Sequence, residues 1–307
     1  MPQHFVTFND LRPTDIWAIF ERAAFLKAER AAGRFRRDHL GGRSVGMFFN
    51  KNSTRTRVSF ECAITELGGQ AVVLNIQDSQ FSRGEPLSHS ARVLSRYLSG
   101  LVIRTYKESD LQTLAQWASI PVVNALTDEQ HPCQVLTDIF TFVERLGGRP
   151  LESQLVAWIG DGNNMANTWL EAAETLGFRL HMACPEGYDP DPATLARATA
   201  ANPGVKLFRS PAEAAAGAHA VNTDVFASMG DEKEKAQRHK ALAPYQVNAA
   251  LMALAAPNAV FMHCLPAHPG EEVTDEVLES PASIVFDEAE NRLHVQKALL
   301  ERLIPAL

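Results

Sequence analysis

Long apolar runs and paired cysteines are both missing from this 307-residue chain. No apolar stretch approaches the ~18 to 20 residues that a membrane helix needs, and the polar start MPQHFVTFND does not resemble a signal peptide. The four cysteines, Cys62, Cys133, Cys184 and Cys264, are far apart and form no C-x-x-C pair. These absences argue against a membrane span, a disulfide framework or a zinc ribbon, and they fit a reducing cytoplasm.

An excess of positive charge is missing as well. The formal net charge of −7 disfavours a nucleic-acid partner. The charge is uneven, because residues 1–150 carry 18 Lys and Arg against 15 Asp and Glu, whereas residues 151–307 carry 11 against 21. Two interpretations remain open from composition. The uneven charge either lies on solvated surface, or it reflects a first half that binds an anion and a second half that binds a cation.

Short β-rich runs alternate with amphipathic, helix-length segments along the whole chain, as in βαβ units. The sequence LGGRPLES, residues 146–153, is the best candidate linker. We therefore predict two doubly wound, Rossmann-like parallel-sheet domains with a shared cleft. The domains are residues 1–148 and 149–287, and a C-terminal helix, 288–307, packs back on the first. Strands are predicted at 44–49, 71–76, 101–105, 121–126, 155–159, 179–184, 205–209, 220–223, 259–264 and 283–287.

The segment Ser53-Thr54-Arg55-Thr56-Arg57 lies where the first predicted strand gives way to a helix. The first N–H groups of a helix have no intrahelical partner, and the helix dipole adds about half a positive charge there. Ser53 or Thr54 is a suitable N-cap, and the two arginines add full charges. The segment predicts a binding site for an anion such as phosphate, although a capped helix with solvated arginines is the alternative. It is not a Walker loop, because the glycine-rich pattern is absent.

Polar side chains follow the other predicted strands of the first half, at the edge where ligands of parallel sheets bind. Arg104 directly follows a buried run and would be costly there without an anion, though a single such Arg is more often in a salt bridge. His131 and Gln134 can direct an imidazole N–H and an amide at one ligand, although a single His at this place is more often a cap or a core histidine. Together with Gln80, these donors suit a phosphate joined to a polarised carbonyl.

The second half offers a carboxylate instead. Asp224 can hold an ammonium group or act as a cap, Asn163 and Asn164 can bind an amino-acid backbone, and the loop Ser228-Met229-Gly230 can close over a ligand.

Cys264 has two rival interpretations, a covalent nucleophile or a metal ligand beside His263. Neighbouring strand residues face opposite ways, and no base for a thiol can be identified. We therefore expect Cys264 to contact a bound amine.

These residues resemble the motifs of the aspartate/ornithine carbamoyltransferase family, over essentially the whole chain. The segment STRTR (53–57) is similar to the first carbamoyl-phosphate signature of the family, and HPCQ (131–134) to the second. Asp224 with SMG (228–230), and HCLP (263–266), resemble motifs of its ornithine branch. The segment after HCLP, AHPGEEVTDEV, is shorter than in some family members. The resemblance therefore does not predict the surface through which subunits would assemble.

The resemblance implies a role for each matching residue. The phosphate would contact Ser53, Thr54, Arg55 and Thr56, while Arg104, His131 and Gln134 would bind and polarise the carbamoyl group. Gln80 would reach a neighbouring subunit's site, and Arg292 would contact carbamoyl phosphate. Ornithine would be held by Asn164, Asp224, Ser228 and Met229, with Cys264 and Leu265 between both substrates. Of these, Arg55, Arg104, His131 and Cys264 are expected to be catalytic.

The reaction that the resemblance implies is transfer of the carbamoyl group of carbamoyl phosphate to the δ-amine of L-ornithine, giving citrulline and phosphate. No metal or organic cofactor is expected, since phosphate is already a good leaving group. The partners would be these small molecules, without nucleic acid or membrane, and the assembly a cytoplasmic homotrimer or a multiple of trimers.

Two other functions fit parts of the same sequence. The segment GDGNNM, residues 160–165, approaches the G-x-G-x-x-G pattern of a nicotinamide-dependent dehydrogenase, but Met165 replaces the third glycine and the first-half donors are left unexplained. A non-catalytic anion-binding or regulatory protein is a further alternative. Within the family, Asp224 disfavours aspartate as acceptor, whereas acetylornithine and putrescine stay open.

Overall fold

The computed structural model describes residues 3–35, 38–50, 53–75, 84–227 and 235–306. The chain divides into two compact units. The first contains Met1–Thr137 with Glu290–Leu307, and the second contains Asp138–Ala289. Both boundaries fall inside helices, α5 (Pro132–Arg145) and α12 (Val285–Leu303).

The first unit is built on a four-stranded sheet in which all paired strands are parallel. Its strands are β1 (Ser44–Phe49), β2 (Gln70–Asn75), β3 (Gly100–Arg104) and β4 (Val122–Leu126), in the order β2-β1-β3-β4. Its other helices are α1 (Pro13–Ala31), α2 (Thr54–Glu66), α3 (Leu87–Leu94) and α4 (Glu108–Trp117).

The second unit has a five-stranded sheet, also parallel throughout. Its strands are β5 (Leu155–Ile159), β6 (Arg179–Ala183), β7 (Val205–Phe208), β8 (Ala220–Thr223) and β9 (Val260–His263), in the order β7-β6-β5-β8-β9. Its helices are α6 (Asn164–Leu176), α7 (Pro192–Ala201), α8 (Pro211–Ala215), α9 (Lys235–Leu242), α10 (Ala249–Met252) and α11 (Asp275–Leu278).

The central strands read as nearly continuous apolar runs because both faces of each sheet are covered. In the first unit, Phe48, Leu101 and Ile103 pack with Leu111 and Val122 in one buried cluster. In the second, all five residues of β5 are buried. These cores confirm the predicted class of two parallel-sheet α/β domains.

Each sheet has one point where the strand order reverses direction. The reversal lies between β1 and β3 in the first unit and between β5 and β8 in the second. Connections leave such a pair of strands toward opposite sides, so a crevice opens beyond their carboxyl ends, where ligands of doubly wound sheets bind. The topology therefore indicates where each unit's site should be sought.

Strand ends within the described residues agree with the sequence-based predictions to within one residue, except at 283–287. The strand predicted there is wrong. Ser283 forms only an isolated bridge with Phe261, and α12 begins at Val285 instead of the predicted residue 288. A short apolar run cannot be assigned by periodicity alone. Here Asp287 and Glu288 occupy the first turn of the helix, where acidic side chains stabilise its N-terminus.

Among the described residues, no helix combines the length and the apolar character needed to cross a lipid bilayer.

Asn202 connects three elements of the second unit. Its Nδ2 group donates to the carbonyls of Ala173 in α6 and Phe178 before β6, both at 2.8 Å, and its Oδ1 accepts from the N–H of Gly204 at 2.9 Å. The side chain is nearly buried, with 9% of the residue exposed. Its removal would break all three hydrogen bonds, and of the three backbone groups the Ala173 carbonyl would still accept from the N–H of Gly177.

We expect Asn202→Ala to destabilise the protein by ~1 to 3 kcal/mol, the cost of leaving buried polar groups unpaired. Thermal unfolding followed by circular dichroism measures the effect. The matched control is Asn258→Ala, at an exposed position where a substitution changes stability by less than ~0.5 kcal/mol. Equal melting temperatures for the two variants would show that Asn202 does not hold these elements together.

Candidate active site

The N-terminus of α2 lies beyond the carboxyl end of β1, at the reversal point of the first sheet. Ser53 is the N-cap, with an extended backbone, and its side chain accepts from the N–H of Thr56 at 3.3 Å. Thr54 and Arg55 are exposed, whereas Thr56 is buried. The expected cap is confirmed, and the first turn presents its N–H groups as an anion site requires.

Arg292 joins the first turn of α2 to α5. One guanidinium nitrogen, Nη2, donates to Thr56 Oγ1 at 3.0 Å, and Nη1 donates to Gln134 Oε1. Arg292 is only 4% exposed and Gln134 only 2%. A guanidinium does not lose its proton in proteins, so a full positive charge is fixed beside the helix N-terminus.

The strand predicted at 283–287 would have put Arg292 at the carboxyl edge of the second sheet, which is wrong. The residue belongs to the first compact unit. The cause is the missing strand at 283–287, because α12 begins at Val285 and Arg292 lies two turns inside that helix.

Arg104 and His131 add to this cluster from β3 and from the residue before α5. The pairing of β3 with β4 shifts register between Ile103 and Arg104, an irregularity of the kind that redirects a side chain near a site. Burial, together with the charges of Arg292 and Arg104, lowers the pKa of His131 well below the usual histidine value. The imidazole is therefore neutral near pH 7 and donates its N–H without carrying a charge.

In the second unit, Asn163 and Asp224 bridge the reversal point between β5 and β8. Asn163 caps α6, accepting from the N–H groups of Met165 and Ala166 at 2.9 and 3.2 Å. Its Nδ2 donates to Asp224 Oδ2 at 2.8 Å. Asp224 is 9% exposed. Asn164, the first residue of α6, is half-buried beside this pair.

Cys264 contacts the other oxygen of Asp224. Its Sγ donates to Asp224 Oδ1 at 3.2 Å, and the N–H of Val225 donates to the same oxygen at 2.8 Å. Burial and the charge of Asp224 raise the pKa of the Cys264 thiol well above its usual value. The thiol therefore stays protonated and lacks the thiolate that a covalent nucleophile needs.

The prediction that His263 and Cys264 point apart is wrong. Strand β9 ends at His263, so the alternation of a strand does not extend to Cys264. The ligating atoms of Asp224, His263 and Cys264 lie within 4.8 Å of one another. The next residue, Leu265, has φ = 57°, a conformation that costs a branched residue about 1 to 3 kcal/mol. The N–H of Leu265 donates to His263 Nδ1 at 2.9 Å, which helps to hold this backbone.

Two glutamates that support His263 were missed by the sequence analysis. Glu272 Oε1 lies 3.3 Å from His263 Nε2, and both residues are fully buried. Glu288 accepts from the N–H of His263 at 3.1 Å. Burial and the nearby carboxylate of Asp138 raise the pKa of Glu288 well above its usual range. The contacts with His263 join residues 9 and 25 positions apart, and Asp138 lies 150 positions before Glu288, so no local motif announces them.

Backbone conformation and close packing explain the two glycines of GDGNNM. Gly160 adopts φ = 133°, which side chains rarely allow. A Cβ on Gly162 would lie 2.1 Å from the backbone nitrogen of Pro190 and 2.2 Å from the carbonyl carbon of Asp189. The close approach of that segment explains the glycine without a dinucleotide.

The structure thus brings together Ser53, Thr56, Gln134 and Arg292, with His131 and Arg104 beside them. In the second unit it brings together Asp224 and Cys264, with Asn164 and Leu265 nearby. Arg57 is separate, since its Nε donates to Glu61 at 2.8 Å on the exposed side of α2. Three predicted site residues lie outside the described part of the chain: Gln80, Ser228 and Met229.

We expect a disulfide reagent to modify Cys62 first, because Cys62 is exposed while Cys133 and Cys264 are protonated thiols. Burial raises the pKa of Cys133 to about 12. In a stopped-flow assay of thiol modification at pH 8, Cys62→Ser should remove the fast phase and Cys264→Ser should leave it. A fast phase lost only in Cys264→Ser would restore the nucleophile hypothesis.

Comparison with known proteins covers both units. The family model described as aspartate/ornithine carbamoyltransferase, carbamoyl-P binding domain, matches residues 3–144, and the model of the Asp/Orn binding domain matches residues 152–303. A relative from Desulfotalea psychrophila named ornithine carbamoyltransferase is 52% identical over 306 residues, covering 99% of this chain and 100% of the relative.

A Pseudomonas aeruginosa relative named ornithine carbamoyltransferase, anabolic, is 49% identical over 302 residues, covering 98% of this chain and 97% of its own. Among solved structures, ornithine carbamoyltransferase from Pyrococcus furiosus superimposes with a TM-score of 0.94 at 43% identity, covering 100% of this chain and 98% of that one. With both family models matched and full-length relatives near 50% identity, this chain belongs to the aspartate/ornithine carbamoyltransferase family.

Proposed function

We propose that this protein transfers the carbamoyl group of carbamoyl phosphate to the δ-amine of L-ornithine, producing L-citrulline and phosphate. The observation that carries the proposal is the contrast between the two sheet reversal points. One gathers a helix N-terminus with Arg104, His131 and Arg292, and the other gathers Asp224. The first set suits an anionic carbamoyl donor and the second a cationic amino acid. The full-length relatives named ornithine carbamoyltransferase support this assignment.

In our proposal the first unit binds carbamoyl phosphate. The phosphate would accept from the N–H groups at the start of α2 and from Ser53, Thr54, Arg55 and Thr56, with the charge of Arg292 beside it. Because Gln134 Oε1 accepts from Arg292, the Nε2 group of this amide becomes its donor side.

The carbonyl oxygen of the carbamoyl group would receive hydrogen bonds from Arg104, His131 and Gln134. These donors would stabilise the oxyanion as the amine adds. Neutral His131 is suited to this role, since it donates without first having to lose or gain a proton.

The second unit would bind ornithine through its amino-acid end. Asp224 would face the α-ammonium, with Asn164, Ser228 and Met229 completing the site. Asn163 and Cys264 each donate to one Asp224 oxygen and so fix the carboxylate. Cys264 and Leu265 would then contact the reacting end as a neutral, polarisable surface.

The reaction begins with the neutral δ-amine, whose lone pair forms a C–N bond to the carbonyl carbon. The tetrahedral oxyanion collapses, the C–O bond to phosphate breaks, and phosphate leaves with the bonding electrons. The added nitrogen releases one proton. Catalysis is then orientation of two bound substrates and oxyanion stabilisation.

Assembly and location are also part of the proposal. We propose a homotrimer, or a multiple of trimers, in which Gln80 of one subunit completes a neighbouring site. The four free cysteines support a cytoplasmic location.

Arg55 provides a test of the anion site. It is exposed in the first turn of α2 and makes no ion pair within the described part of the chain, so we expect its charge to serve a ligand. Arg55→Ala should lower kcat/KM by ~10²-fold or more, as the loss of one preorganised donor typically does. Arg57→Ala is the matched control, because Arg57 already pairs with Glu61. Similar activity losses in both variants, or none in Arg55→Ala, would contradict the assignment.

Asp224 provides the test of the acceptor. A buried group robbed of its charged partner typically costs ~2 to 5 kcal/mol, so Asp224→Asn should weaken ornithine use at least tenfold. Binding of carbamoyl phosphate alone, measured by calorimetry, should be nearly unchanged because that site lies in the other unit. Unaltered ornithine kinetics in Asp224→Asn would remove the basis for placing ornithine there.

The proposed assembly is tested by asking whether two subunits contribute residues to one site. Gln80→Ala and Arg55→Ala chains are each expected to be inactive alone. If Gln80 acts on a neighbouring subunit, mixing and refolding equal amounts of the two variants should return about one quarter of wild-type activity. About one site in four then combines Arg55 from a Gln80→Ala chain with Gln80 from a neighbouring Arg55→Ala chain. The molecular mass, measured by light scattering, should be three chains or a multiple. No recovery on mixing would place Gln80 in its own subunit's site.

A further inference from the structure

A second group of metal-ligating side chains lies in the second unit, apart from Asp224 and Cys264. His239 comes from α9, and His268, Glu271 and Glu272 come from the segment that follows β9. Nothing in the proposed carbamoyl transfer uses His239, His268 or Glu271. The four side chains nevertheless converge from two separate parts of the chain.

The possible ligand atoms are close enough to approach a single ion. His239 Nε2 lies 3.2 Å from Glu271 Oε2, and His268 Nδ1 lies 3.9 Å from the same oxygen. His268 Nδ1 is also 4.0 Å from Glu272 Oε2. A tetrahedral zinc ion with bonds of about 2.0 to 2.2 Å places neighbouring ligand atoms about 3.3 to 3.6 Å apart. The ligand atoms of His268, Glu271 and Glu272 all lie within 4.8 Å of one another, so small side-chain rotations would bring these three onto one ion. His239, which lies beside the same oxygen of Glu271, would need a larger rotation to become the fourth ligand.

Glu272 supplies an independent indication. The residue is fully buried. Its Oε1 accepts from the N–H of His268 at 2.5 Å and faces His263, whereas its Oε2 has no hydrogen-bond donor within the described residues. A buried carboxylate oxygen without a donor is costly, and it is directed toward His268. A cation at this place would satisfy it.

The donor set also limits which ion would bind. Two imidazoles with two carboxylates suit Zn²⁺ and similar transition ions, whereas Mg²⁺ and Ca²⁺ prefer sets made of oxygen alone. Lys235 Nζ lies 4.0 Å from Glu271, but from Oε1 and not from the oxygen that faces the histidines. The lysine is mostly exposed and can turn toward solvent.

We propose that His239, His268, Glu271 and Glu272 form a binding site for a divalent transition-metal ion of the Zn²⁺ type. The bound ion links α9 to the segment after β9. The rings of His239 and Phe226 also meet in a T-shaped contact, with centroids 6.1 Å apart, so the link extends to the segment after β8. Metal binding is therefore expected to raise the melting temperature of the protein.

The test is a titration of the full, metal-free protein with Zn²⁺ by calorimetry and with Co²⁺ by its visible absorption. Wild-type protein should bind one ion at this site, and His239→Ala or His268→Ala should bind it at least ~100-fold more weakly, since even loss of an outer partner of a metal ligand costs 10- to 100-fold. His89→Ala, at an exposed histidine of α3, is the matched control and should bind as wild type does. Citrulline formation without metal should be unchanged in the two histidine variants.

Cys264→Ser separates this site from the Asp224, His263 and Cys264 group, and it should retain the ion. Glu271→Gln keeps the size of the side chain and replaces the histidine variants if either fails to fold. Weak binding in Glu271→Gln with full binding in Cys264→Ser supports the proposal. Loss of the ion in Cys264→Ser alone, or no saturable binding by wild-type protein, overturns it while leaving the proposed transfer reaction untouched.

Discussion

The guanidinium of Arg292 is almost fully buried in the first unit, where it donates to Thr56 and Gln134. Because this charge cannot be lost by deprotonation, the neighbouring groups must accommodate it. It ties the first turn of α2 to α5, orients the Gln134 amide, and helps to lower the pKa of His131. With Arg104 and the helix N-terminus nearby, the cluster carries an excess of positive charge that an anionic ligand would balance. The buried contacts of Arg292 therefore fix the positions of Thr56 and Gln134.

The second unit fixes a negative charge instead of a positive one, and hydrogen bonds again hold the charged group in place. Asp224 keeps a carboxylate near the carboxyl ends of β5 and β8, and its oxygens accept from Asn163, Cys264 and the backbone of Val225. Around it, His263 is held by Glu272 and by its contacts with Leu265 and Glu288. Both sites thus follow from parallel-sheet topology, which collects side chains from distant parts of the sequence at one edge.

The sequence was informative wherever the decisive interactions are local. Apolar runs bounded by turn residues located the strands, and the cap at Ser53 followed from its position before a helix. Sequence patterns gave wrong predictions where residues that are distant along the chain decide the local structure. The run at 283–287 is apolar enough for a strand, yet it begins α12, and this error also misplaced Arg292. The end of β9 at His263 reversed the expected direction of Cys264. Glu272 and Glu288 depend on tertiary contacts, so no motif could reveal them.

We propose that one protein pairs an anionic carbamoyl donor with a cationic amino-acid acceptor. Product formation from carbamoyl phosphate, measured side by side with ornithine, acetylornithine, putrescine and aspartate, tests it most directly. Each rival acceptor lacks a charge that ornithine carries or adds a carboxylate near Asp224, which leaves part of the site unpaired. At about 1.4 kcal/mol per tenfold, kcat/KM for ornithine should exceed that of every rival at least tenfold. Equal use of acetylornithine or putrescine, or no citrulline from ornithine, would contradict the account.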